Sequence, residues 1–462
     1  MNKKTPVASL RALSLLLLLA LVLSLFSCGS SAGVAPREEI EARLLEAEGN
    51  DKGYAYAASY IDEYGISAFD KAKMRRAELY INAYMLYELP PAYEIATSCA
   101  RLFLDYFYDS INLTDTDEVT NALLKCYMSS LGDKYAVYRN PVEKEGYHTD
   151  MSGSFVGIGV TVEHPEEFII RVVDVIEGSP AEAAGIKVGD LITAVDGVSV
   201  NEAGYDNTVN AIRGVEGTTV DITVEREGAS LTLTATRATI VEELVKYSID
   251  ENGRGYIKIS RFDGLSTDEN GTAKQLSRAL DFMKSKGAVG IVFDLRGNPG
   301  GYLSAVVEAL DNFAPAGTPI VSYNYKGESP TVLKATDDNV YNIPLVLICN
   351  GKTASAGELF CSALRDWGLE GRLDVRIVGE ATYGKGVMQS EFSLPDGSIL
   401  TFTTAYYNPP SGNNYDGIGV IPNVTVTNDG EDDAQLQAAY AELDLLIDGR
   451  GENLVCLTAT AA

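Results

Sequence analysis

Histidine is scarce in this chain, and the positions of the few histidines exclude several kinds of site. The 462 residues contain two histidines, His148 and His164. Both precede residue 239, from which strand and helix patterns alternate as far as residue 430. That segment therefore holds neither a Ser-His-Asp triad nor a histidine-based zinc site of its own. The cysteines include no CxxC pair, and we predict that the protein needs no metal and no organic cofactor.

Positively charged residues are also few relative to negatively charged ones. Lysine and arginine together number 37, against 65 aspartates and glutamates, which gives a formal net charge of −28. Such a chain repels phosphate backbones, so no nucleic-acid partner is predicted. Hydrophobic residues make up 46% of the chain and charged residues 22%, a composition typical of globular rather than disordered proteins. A chain of this length is expected to form about two to four domains.

Long apolar runs are absent apart from residues 13–26, and this run of 14 residues is too short to span a membrane comfortably. Lys3, Lys4 and Arg11 precede it, as in a signal peptide. The sequence then reads Leu-Phe-Ser-Cys28, which resembles a bacterial lipobox, where the cysteine becomes the lipidated first residue. From this resemblance we predict a lipid anchor on Cys28. Its acyl chains would hold the protein on a membrane, because each buried methylene contributes about 0.8 kcal/mol to membrane binding. The alternative is an ordinary signal peptide or an uncleaved anchor, with Cys28 incidental.

The remainder of the chain divides into regions with different patterns. Residues 37–150 carry apolar side chains at helical spacings and are interrupted by a Pro-Pro pair. They are predicted to form a helical layer or a dimerisation arm, which leaves a homodimer open. Residues 151–238 alternate short strands with glycine turns. Strands and helices alternate in residues 239–430, which indicates an α/β domain, and residues 431–462 are predicted to form a C-terminal helix and tail.

The strongest chemical pattern is a serine and a lysine in glycine-rich surroundings. Ser355 follows the apolar segment 345–349 in a run of small residues, and Lys385 lies between two glycines. A serine acts as a nucleophile only if a base removes its proton, and a lysine can be that base. Free lysine has a pKa of about 10.4, so a lysine base needs surroundings that lower this value to about 7–8. Taken alone, Ser355 is explained as well by a helix N-cap, and Lys385 by an exposed loop.

Four stretches occur in a characteristic order, namely residues 154–159 (SFVGIG), 294–301 (DLRGNPGG), 350–358 (NGKTASAGE) and 382–389 (TYGKGVMQ). Together they resemble the carboxyl-terminal processing peptidases, or tail-specific proteases, which are Ser-Lys endopeptidases with a PDZ domain. The resemblance covers roughly residues 113–428 and implies a crotonase-like fold for the α/β domain. It also implies that Ser355 is the nucleophile, that Lys385 is the base and that Gln389 orients the lysine.

The resemblance further implies an oxyanion hole in the loop that follows a predicted strand. One of Gly300 or Gly301 would supply one backbone N–H group and Ala356 the other, because such turns can direct N–H groups at a developing negative charge. Gly300 is the predicted choice. Asp294 and Arg296 in the same loop are expected to pair with each other and to have a structural role.

Residues 151–238 look like a PDZ domain, which adds a peptide as a strand to a sheet edge and holds its terminal carboxylate with backbone N–H groups. Phe155, Gly157, Ile158 and Gly159 are predicted to form the loop that supplies those donors, since glycines let the backbone approach a ligand closely. The alternative is that these glycines only make a turn.

These predictions combine into one functional hypothesis. The chain is expected to be an α/β catalytic domain with an inserted or preceding β-rich PDZ domain and an N-terminal helical region. It would be a lipid-anchored serine endopeptidase of the bacterial cell envelope, on the outer face of the cytoplasmic membrane or periplasmic, acting on proteins or peptides with exposed C-terminal tails. The alternatives are a non-catalytic peptide-binding lipoprotein with a degenerate peptidase domain, and a hydrolase of small esters or lactams. The predicted boundaries are 1–27 for a lipoprotein signal peptide, 28–36 for a tether, 37–150 for the helical region, 151–238 for the PDZ domain, 239–430 for the peptidase domain and 431–462 for the C-terminal helix and tail.

Overall fold

The computed structural model describes residues 66, 68–150, 154–166, 169–264, 269–338, 340–428 and 432–449. The described residues form two compact units: the first combines those that fall within positions 66–144, 324–329 and 387–406, and the second those within 145–323, 330–386 and 407–449. The predicted signal peptide and tether, with Cys28, lie outside the described residues. None of the described helices is long and apolar enough to cross a membrane.

The elements are numbered here in chain order. The helices are α1 (Lys71–Tyr84), α2 (Ala92–Tyr106), α3 (Thr116–Ser129), α4 (Pro141–Asp150), α5 (Pro180–Ala184), α6 (Val200–Ala203), α7 (Tyr205–Ile212), α8 (Thr272–Lys286), α9 (Leu303–Asp311), α10 (Ala356–Leu369) and α11 (Ala434–Ile447). The strands are β1 (Val137–Arg139), β2 (Ser154–Gly157), β3 (Val160–Glu166), β4 (Ile169–Val175), β5 (Leu191–Val195), β6 (Val198–Ser199), β7 (Thr219–Arg226), β8 (Ala229–Thr236), β9 (Ala238–Val241), β10 (Val245–Ile249), β11 (Arg254–Ile259), β12 (Gly290–Asp294), β13 (Pro319–Tyr325), β14 (Thr331–Lys334), β15 (Leu345–Cys349), β16 (Val375–Gly379), β17 (Val387–Ser393), β18 (Ile399–Asn408) and β19 (Val424–Thr425).

Helices α1 to α3 of the first unit begin at clear sequence signals. Asp70 and Asp115 are the N-caps of α1 and α3, and each carboxylate accepts hydrogen bonds from two amides of the first turn. Pro91 precedes the first residue of α2, where a missing N–H and a fixed φ cost nothing. The helix boundaries therefore follow from local chemistry.

The first unit buries these helices against an antiparallel sheet in which β18 pairs with both β1 and β17. Phe103 and Leu123 of the helices are fully buried in one core with Leu400 and Phe402 of β18. The rings of Phe402 and Phe392 stack with their centroids 4.6 Å apart. Strand residues more than 250 positions downstream of the helices thus complete the helical core.

The smaller part of the second unit is a mostly antiparallel sheet with the strand order β3-β4-β5-β7-β8, in which β6 also pairs with β5. Short helices α5 to α7 accompany it, and β2 and β9 form a separate two-stranded ribbon. Alternating residues of β7 are buried, which is the period of two expected for a strand with one face on a core. Strand β3 is an edge strand of this sheet.

The larger part of the second unit is a six-stranded sheet with the order β10-β11-β12-β15-β16-β19. Strands β11, β12, β15, β16 and β19 run parallel, and β10 is antiparallel to β11. Helix α11 packs on one face, against Val292 and Val346. On the other face Phe293 contacts Phe360 of α10, with ring centroids 5.5 Å apart. Every residue of β12 and β15 is buried, as expected for strands covered on both faces.

The parallel register determines where the loops lie. Asp294 at the end of β12 is opposite Ile348 of β15, and Cys349 at the end of β15 is opposite Gly379 of β16. Three loops, residues 295–302, 350–355 and 380–386, therefore leave the same edge of the sheet. The α/β content predicted for this region is confirmed, whereas the crotonase-like assignment stays a prediction.

Candidate active site

Ser355 lies at the turn between β15 and α10, immediately before the first residue of the helix. Its φ is 53° and its ψ is −118°. Among the described non-glycine residues, only Asp196 and Glu227 also have positive φ. Strained backbone of this kind costs about 1–3 kcal/mol and persists only where the surroundings fix it. The turn therefore presents the Ser355 side chain in one direction at the N-terminus of a helix.

A buried carboxylate connects the serine turn to the lysine loop. Glu358, in the first turn of α10, is fully buried. Its Oε2 accepts hydrogen bonds from the amides of Ser355 and Lys385, both at 2.8 Å, so these two nitrogens lie within 5.6 Å of each other. Its Oε1 accepts hydrogen bonds from the Gly384 amide at 2.7 Å and from the Thr382 hydroxyl. Glu358 thus fixes the backbone of Lys385 beside that of Ser355.

A buried tyrosine makes a second connection between the same two residues. The Tyr407 hydroxyl donates a hydrogen bond to the Lys385 carbonyl oxygen at 2.9 Å and lies 3.5 Å from Oγ of Ser355. Tyr415 packs against Tyr407 edge to face, with ring centroids 5.9 Å apart, and its hydroxyl donates to the Ser355 carbonyl oxygen at 3.4 Å. Burial raises the pKa of both tyrosines, so both phenols are protonated at neutral pH.

The glycine loop after β12 approaches the serine turn closely. Gly300 has a φ of 105°, and a β-carbon placed on it would lie 2.7 Å from Cβ of Ser355 and 2.9 Å from the amide nitrogen of Ala356. No side chain fits there. Asn298, fully buried, accepts a hydrogen bond from the Gly300 amide at 2.9 Å through its side-chain oxygen, and from the Ala354 amide at 2.9 Å through its carbonyl oxygen.

The amide of Gly300, which we predicted as an oxyanion donor, is therefore already bonded in this structure. The Gly301 amide differs in having no such partner among the described residues. The bridge between Gly301 and Phe262 uses the Gly300 carbonyl and the Tyr302 amide. Among the described residues, neither the Gly301 amide nor the Ala356 amide donates a hydrogen bond. The N–H group of Gly301 is thus free to donate, whereas the N–H group of Gly300 is already bonded to Asn298.

The same loop is held at its base by charged residues. Arg296 donates to both carboxylate oxygens of Asp294, at 2.9 and 2.7 Å, and also pairs with Asp433 at 2.7 Å. Burial raises the pKa of Asp294, but the hydrogen bonds from Arg296 and Tyr256 outweigh it and leave the pKa below its usual value. The expected pairing of Asp294 with Arg296 is confirmed, and Asp433 is an additional partner that the sequence did not reveal.

Gln389 and Cys28 are two further predicted site residues, and Cys28 lies outside the described residues. Gln389 lies on β17, in the first unit, where its Nε2 donates to Oγ1 of Thr403 at 3.3 Å. Thr403 in turn donates through the same oxygen to Asp133 at 3.1 Å. The role of Gln389 in orienting Lys385 stays a prediction. Among the described residues no group of three or more histidines, cysteines, aspartates or glutamates is arranged to hold a metal ion.

The predicted peptide-binding loop divides into two parts. Phe155 and Gly157 belong to β2, which pairs with β9. Ile158 is buried in the core of the smaller sheet. Gly159 has a φ of 81°, and a β-carbon on it would lie 2.5 Å from Cβ of Ser179. Strand β3 begins at the next residue and, in the described part of the chain, pairs only with β4. Its other edge is therefore open to an added strand.

Sequence reasoning did not single out Glu358, Tyr407, Tyr415 or Asn298 as residues of the site. Glu358 stands three residues after Ser355, a spacing that places a carboxylate over the first turn of a helix, so this signal was present. Tyr407 lies in a strand-like segment of tyrosines and threonines and gives no local indication of its contacts.

Comparisons with known proteins identify the family to which the chain belongs. The family model "Peptidase family S41" matches residues 253–426, and the model "PDZ domain" matches residues 171–226. The carboxyl-terminal-processing protease of a Picosynechococcus species is 33% identical over 333 residues, which cover 69% of this chain and 77% of that protein. This chain belongs to the carboxy-terminal processing proteases of peptidase family S41. The resemblance and the PDZ domain predicted from the sequence are thereby confirmed.

Two further relatives describe the extent of the similarity. The carboxy-terminal processing protease CtpA of Bacillus subtilis is 35% identical over 317 residues, which cover 68% of this chain and 66% of that protein. The match thus spans just under two thirds of the length of that S41 relative. Among solved structures, a photosystem II D1 C-terminal processing protease has 23% identity and a TM-score of 0.46, covering 82% of this chain and 98% of that one.

Proposed function

We propose that this S41 family member is a serine endopeptidase in which Ser355 is the nucleophile and Lys385 the general base. The observation that carries this proposal is the Glu358 carboxylate, which holds the amides of Ser355 and Lys385 on a single oxygen. A serine in a strained turn at a helix N-terminus, with the backbone of a lysine loop beside it, supports this assignment. Ser355 does occupy the N-cap position of α10, and its amide donates to the Glu358 side chain as in a capping box, so a capping role and a nucleophilic role are compatible, and the contact of Glu358 with the Lys385 amide favours the second.

The reaction follows from these roles. The neutral amine of Lys385 takes the proton of the Ser355 hydroxyl as Oγ bonds to the carbonyl carbon of the scissile peptide. The tetrahedral intermediate then collapses, the carbon–nitrogen bond breaks, and the Lys385 ammonium gives its proton to the leaving amine. Water attacks the resulting ester with its proton passing to Lys385, and the Ser355 oxygen leaves and is reprotonated.

The oxyanion of each intermediate is best placed at the Gly301 and Ala356 amides. Both are free to donate in the described chain, and the close approach of Gly300 to Ser355 brings the two loops together. Donors that are already fixed stabilise the developing charge without reorganisation, and one such donor is typically worth about 2.7–4 kcal/mol. This assignment replaces Gly300, whose amide is bonded to Asn298.

The PDZ domain is proposed to select the substrate. Strand β3 is an open edge preceded by Gly159, which supports addition of a C-terminal tail as an extra strand. We further propose that lipid on Cys28 holds the protein on the bacterial cell envelope, as the leader sequence predicts, and that its substrates are proteins with exposed apolar tails.

The test is cleavage of a permanently unfolded protein with an apolar C-terminal tail by the full chain in detergent, beside Ser355→Ala and Lys385→Ala. Cleavage by the parent, with both variants inactive and folded, is the expected result. If all three proteins bind the tail and none cleaves, the peptide-binding lipoprotein becomes the better description. If Lys385→Ala cleaves as fast as the parent, the Ser-Lys mechanism is wrong.

A further inference from the structure

The buried hydroxyl of Tyr407 lies beside the nucleophile, and the proposed reaction assigns it no task. Only 3% of Tyr407 is exposed, and its oxygen faces both the Lys385 carbonyl and Oγ of Ser355, at 2.9 and 3.5 Å. A buried hydroxyl placed between two groups fixes their separation if it bonds to both. The same residue is held to the lysine loop at its backbone, where the Tyr407 amide donates to the Gly386 carbonyl at 3.2 Å.

We propose that Tyr407 is a positioning residue that fixes the lysine loop, residues 384–386, against the nucleophile. This inference rests on the proposed roles of Ser355 and Lys385. Its physical basis is the number of protons available: a phenol has one O–H proton. The Tyr407 hydroxyl is the donor in both contacts, so its one proton is shared between the Lys385 carbonyl oxygen, at 2.9 Å, and Oγ of Ser355, at 3.5 Å.

Tyr407 therefore acts on two parts of the site at once. It satisfies a carbonyl of the loop that carries the base, and it restrains the rotation of the Ser355 side chain before attack. The surrounding contacts keep the ring in place independently of the hydroxyl: Tyr415 packs edge to face on it, and the Asn414 side chain donates to the Tyr407 carbonyl at 2.8 Å and to the Gly386 carbonyl at 2.9 Å. Replacement by phenylalanine thus removes one oxygen and leaves the packing intact.

The variant Tyr407→Phe leaves the Lys385 carbonyl without its buried donor, and the loop is no longer held at one spacing from Ser355. We expect kcat to fall by roughly ten- to a hundredfold, with KM within about twofold of the parent value, because the contact is to the reacting groups rather than to the substrate. The matched control is Tyr406→Phe on the same strand, where the side chain is 41% exposed and no change is expected.

The experiment uses the full chain in detergent, an internally quenched peptide with an apolar free C-terminus, and a fluorophosphonate that labels reactive serines. Three quantities are measured for the parent, Tyr407→Phe and Tyr406→Phe: kcat and KM, the melting temperature, and the labelling rate of Ser355 from pH 5 to 10. A loosened lysine loop exposes the base to water, so the pH of half-maximal labelling rises in Tyr407→Phe.

The outcomes separate this inference from the function on which it rests. A lower kcat together with a higher labelling midpoint, at an unchanged melting temperature, supports positioning by Tyr407. Parent-like kinetics, or a loss that matches the unfolded fraction and leaves the midpoint in place, overturns it while Ser355→Ala and Lys385→Ala remain inactive. Labelling of Lys385→Ala at the parent rate overturns both the Ser-Lys mechanism and this inference.

Discussion

The substitution Glu358→Gln tests how far the site depends on one buried charge. Oε2 of Glu358 accepts from the Ser355 and Lys385 amides, and Oε1 accepts from Gly384 and Thr382. Glutamine keeps the shape of the side chain but has one oxygen and one NH2 group. With the NH2 group at the Oε2 position, the Ser355 and Lys385 amides both lose their acceptor. With it at the Oε1 position, the Gly384 amide loses its acceptor, while the Thr382 hydroxyl can turn and accept.

The magnitude follows from those contacts. Hydrogen bonds to charged groups contribute about 1.5–3 kcal/mol each, so the loss of one or two amounts to roughly 1.5–6 kcal/mol. That is a large fraction of the roughly 5–15 kcal/mol by which a domain is stable. At about 2–4 °C per kcal/mol for a domain of this size, the melting temperature should fall by at least about 3 °C. Because the lost bonds are those that hold Ser355 beside Lys385, kcat should fall by more than about a hundredfold in the fraction that remains folded.

The assay is thermal unfolding of the full chain in detergent, followed by cleavage of the quenched peptide well below the lower melting temperature. Glu370→Gln is the control, because Glu370 lies at the other end of α10 and pairs with Arg372 at the surface, with each side chain nearly half exposed. That variant should differ little from the parent. A Glu358→Gln protein that melts within about 2 °C of the parent and retains at least a third of its kcat would refute the reasoning.

Two further substitutions test other parts of the second unit. Gly159→Ala puts a β-carbon 2.5 Å from Cβ of Ser179 at a φ of 81°, so we expect a loss of about 1–3 kcal/mol in stability and weaker binding of an apolar tail peptide by calorimetry; unchanged binding would contradict the proposed role of this loop. Hydrogen bonds from Arg296 lower the pKa of Asp433 from 3.8 to about 2, so this pair stabilises the fold above about pH 4 and loses its effect as pH falls towards 2. Urea unfolding of Arg296→Ala should therefore depend less on pH in that interval than unfolding of the parent, whereas Arg372→Ala should keep the parent's dependence.

Much of the fold was predictable because its signals are local. The apolar segments that became β12 and β15, and the small-residue run that opens α10, are visible without any tertiary information. Two parallel neighbours must end at the same sheet edge, so the meeting of the glycine loop with Ser355 follows once the strands are assigned. The predicted role of Lys385 as the base came from the family resemblance. Nothing in the local pattern of residues 382–389 separates a catalytic lysine from an exposed one.

The proposed choice of Gly301 over Gly300 as an oxyanion donor could not be made from the sequence. It depends on which of two successive peptide N–H groups is free, and that is decided by the Asn298 side chain, which accepts the first of them. A motif shows that the loop contains flexible glycines. It does not show which of their N–H groups donates a hydrogen bond to a side chain elsewhere in the loop.

The direction of the Gln389 side chain was not predictable for a different reason. It follows Lys385 by four residues, which in a regular strand would place it on a fixed face. The pairing of β17 with β18 shifts register between Met388 and Gln389, and such an irregularity redirects the side chains beyond it. Counting residues from Lys385 therefore does not give the direction of Gln389.

The site is held together mainly by residues that take no part in the proposed bond making. Ser355 has a strained backbone. A strained conformation of this kind persists only if the free energy of the neighbouring contacts exceeds the free energy that relaxation of the backbone would release. Those contacts are made by buried polar groups, Glu358 and Asn298, each bonded to two or more backbone amides. Their loss would leave unpaired amides in a water-free interior, which is more expensive than the loss of a surface contact. It follows that substitution of Ser355 alone should abolish chemistry while preserving the fold, whereas substitution of Glu358 should damage both, and this difference distinguishes the nucleophile from its support.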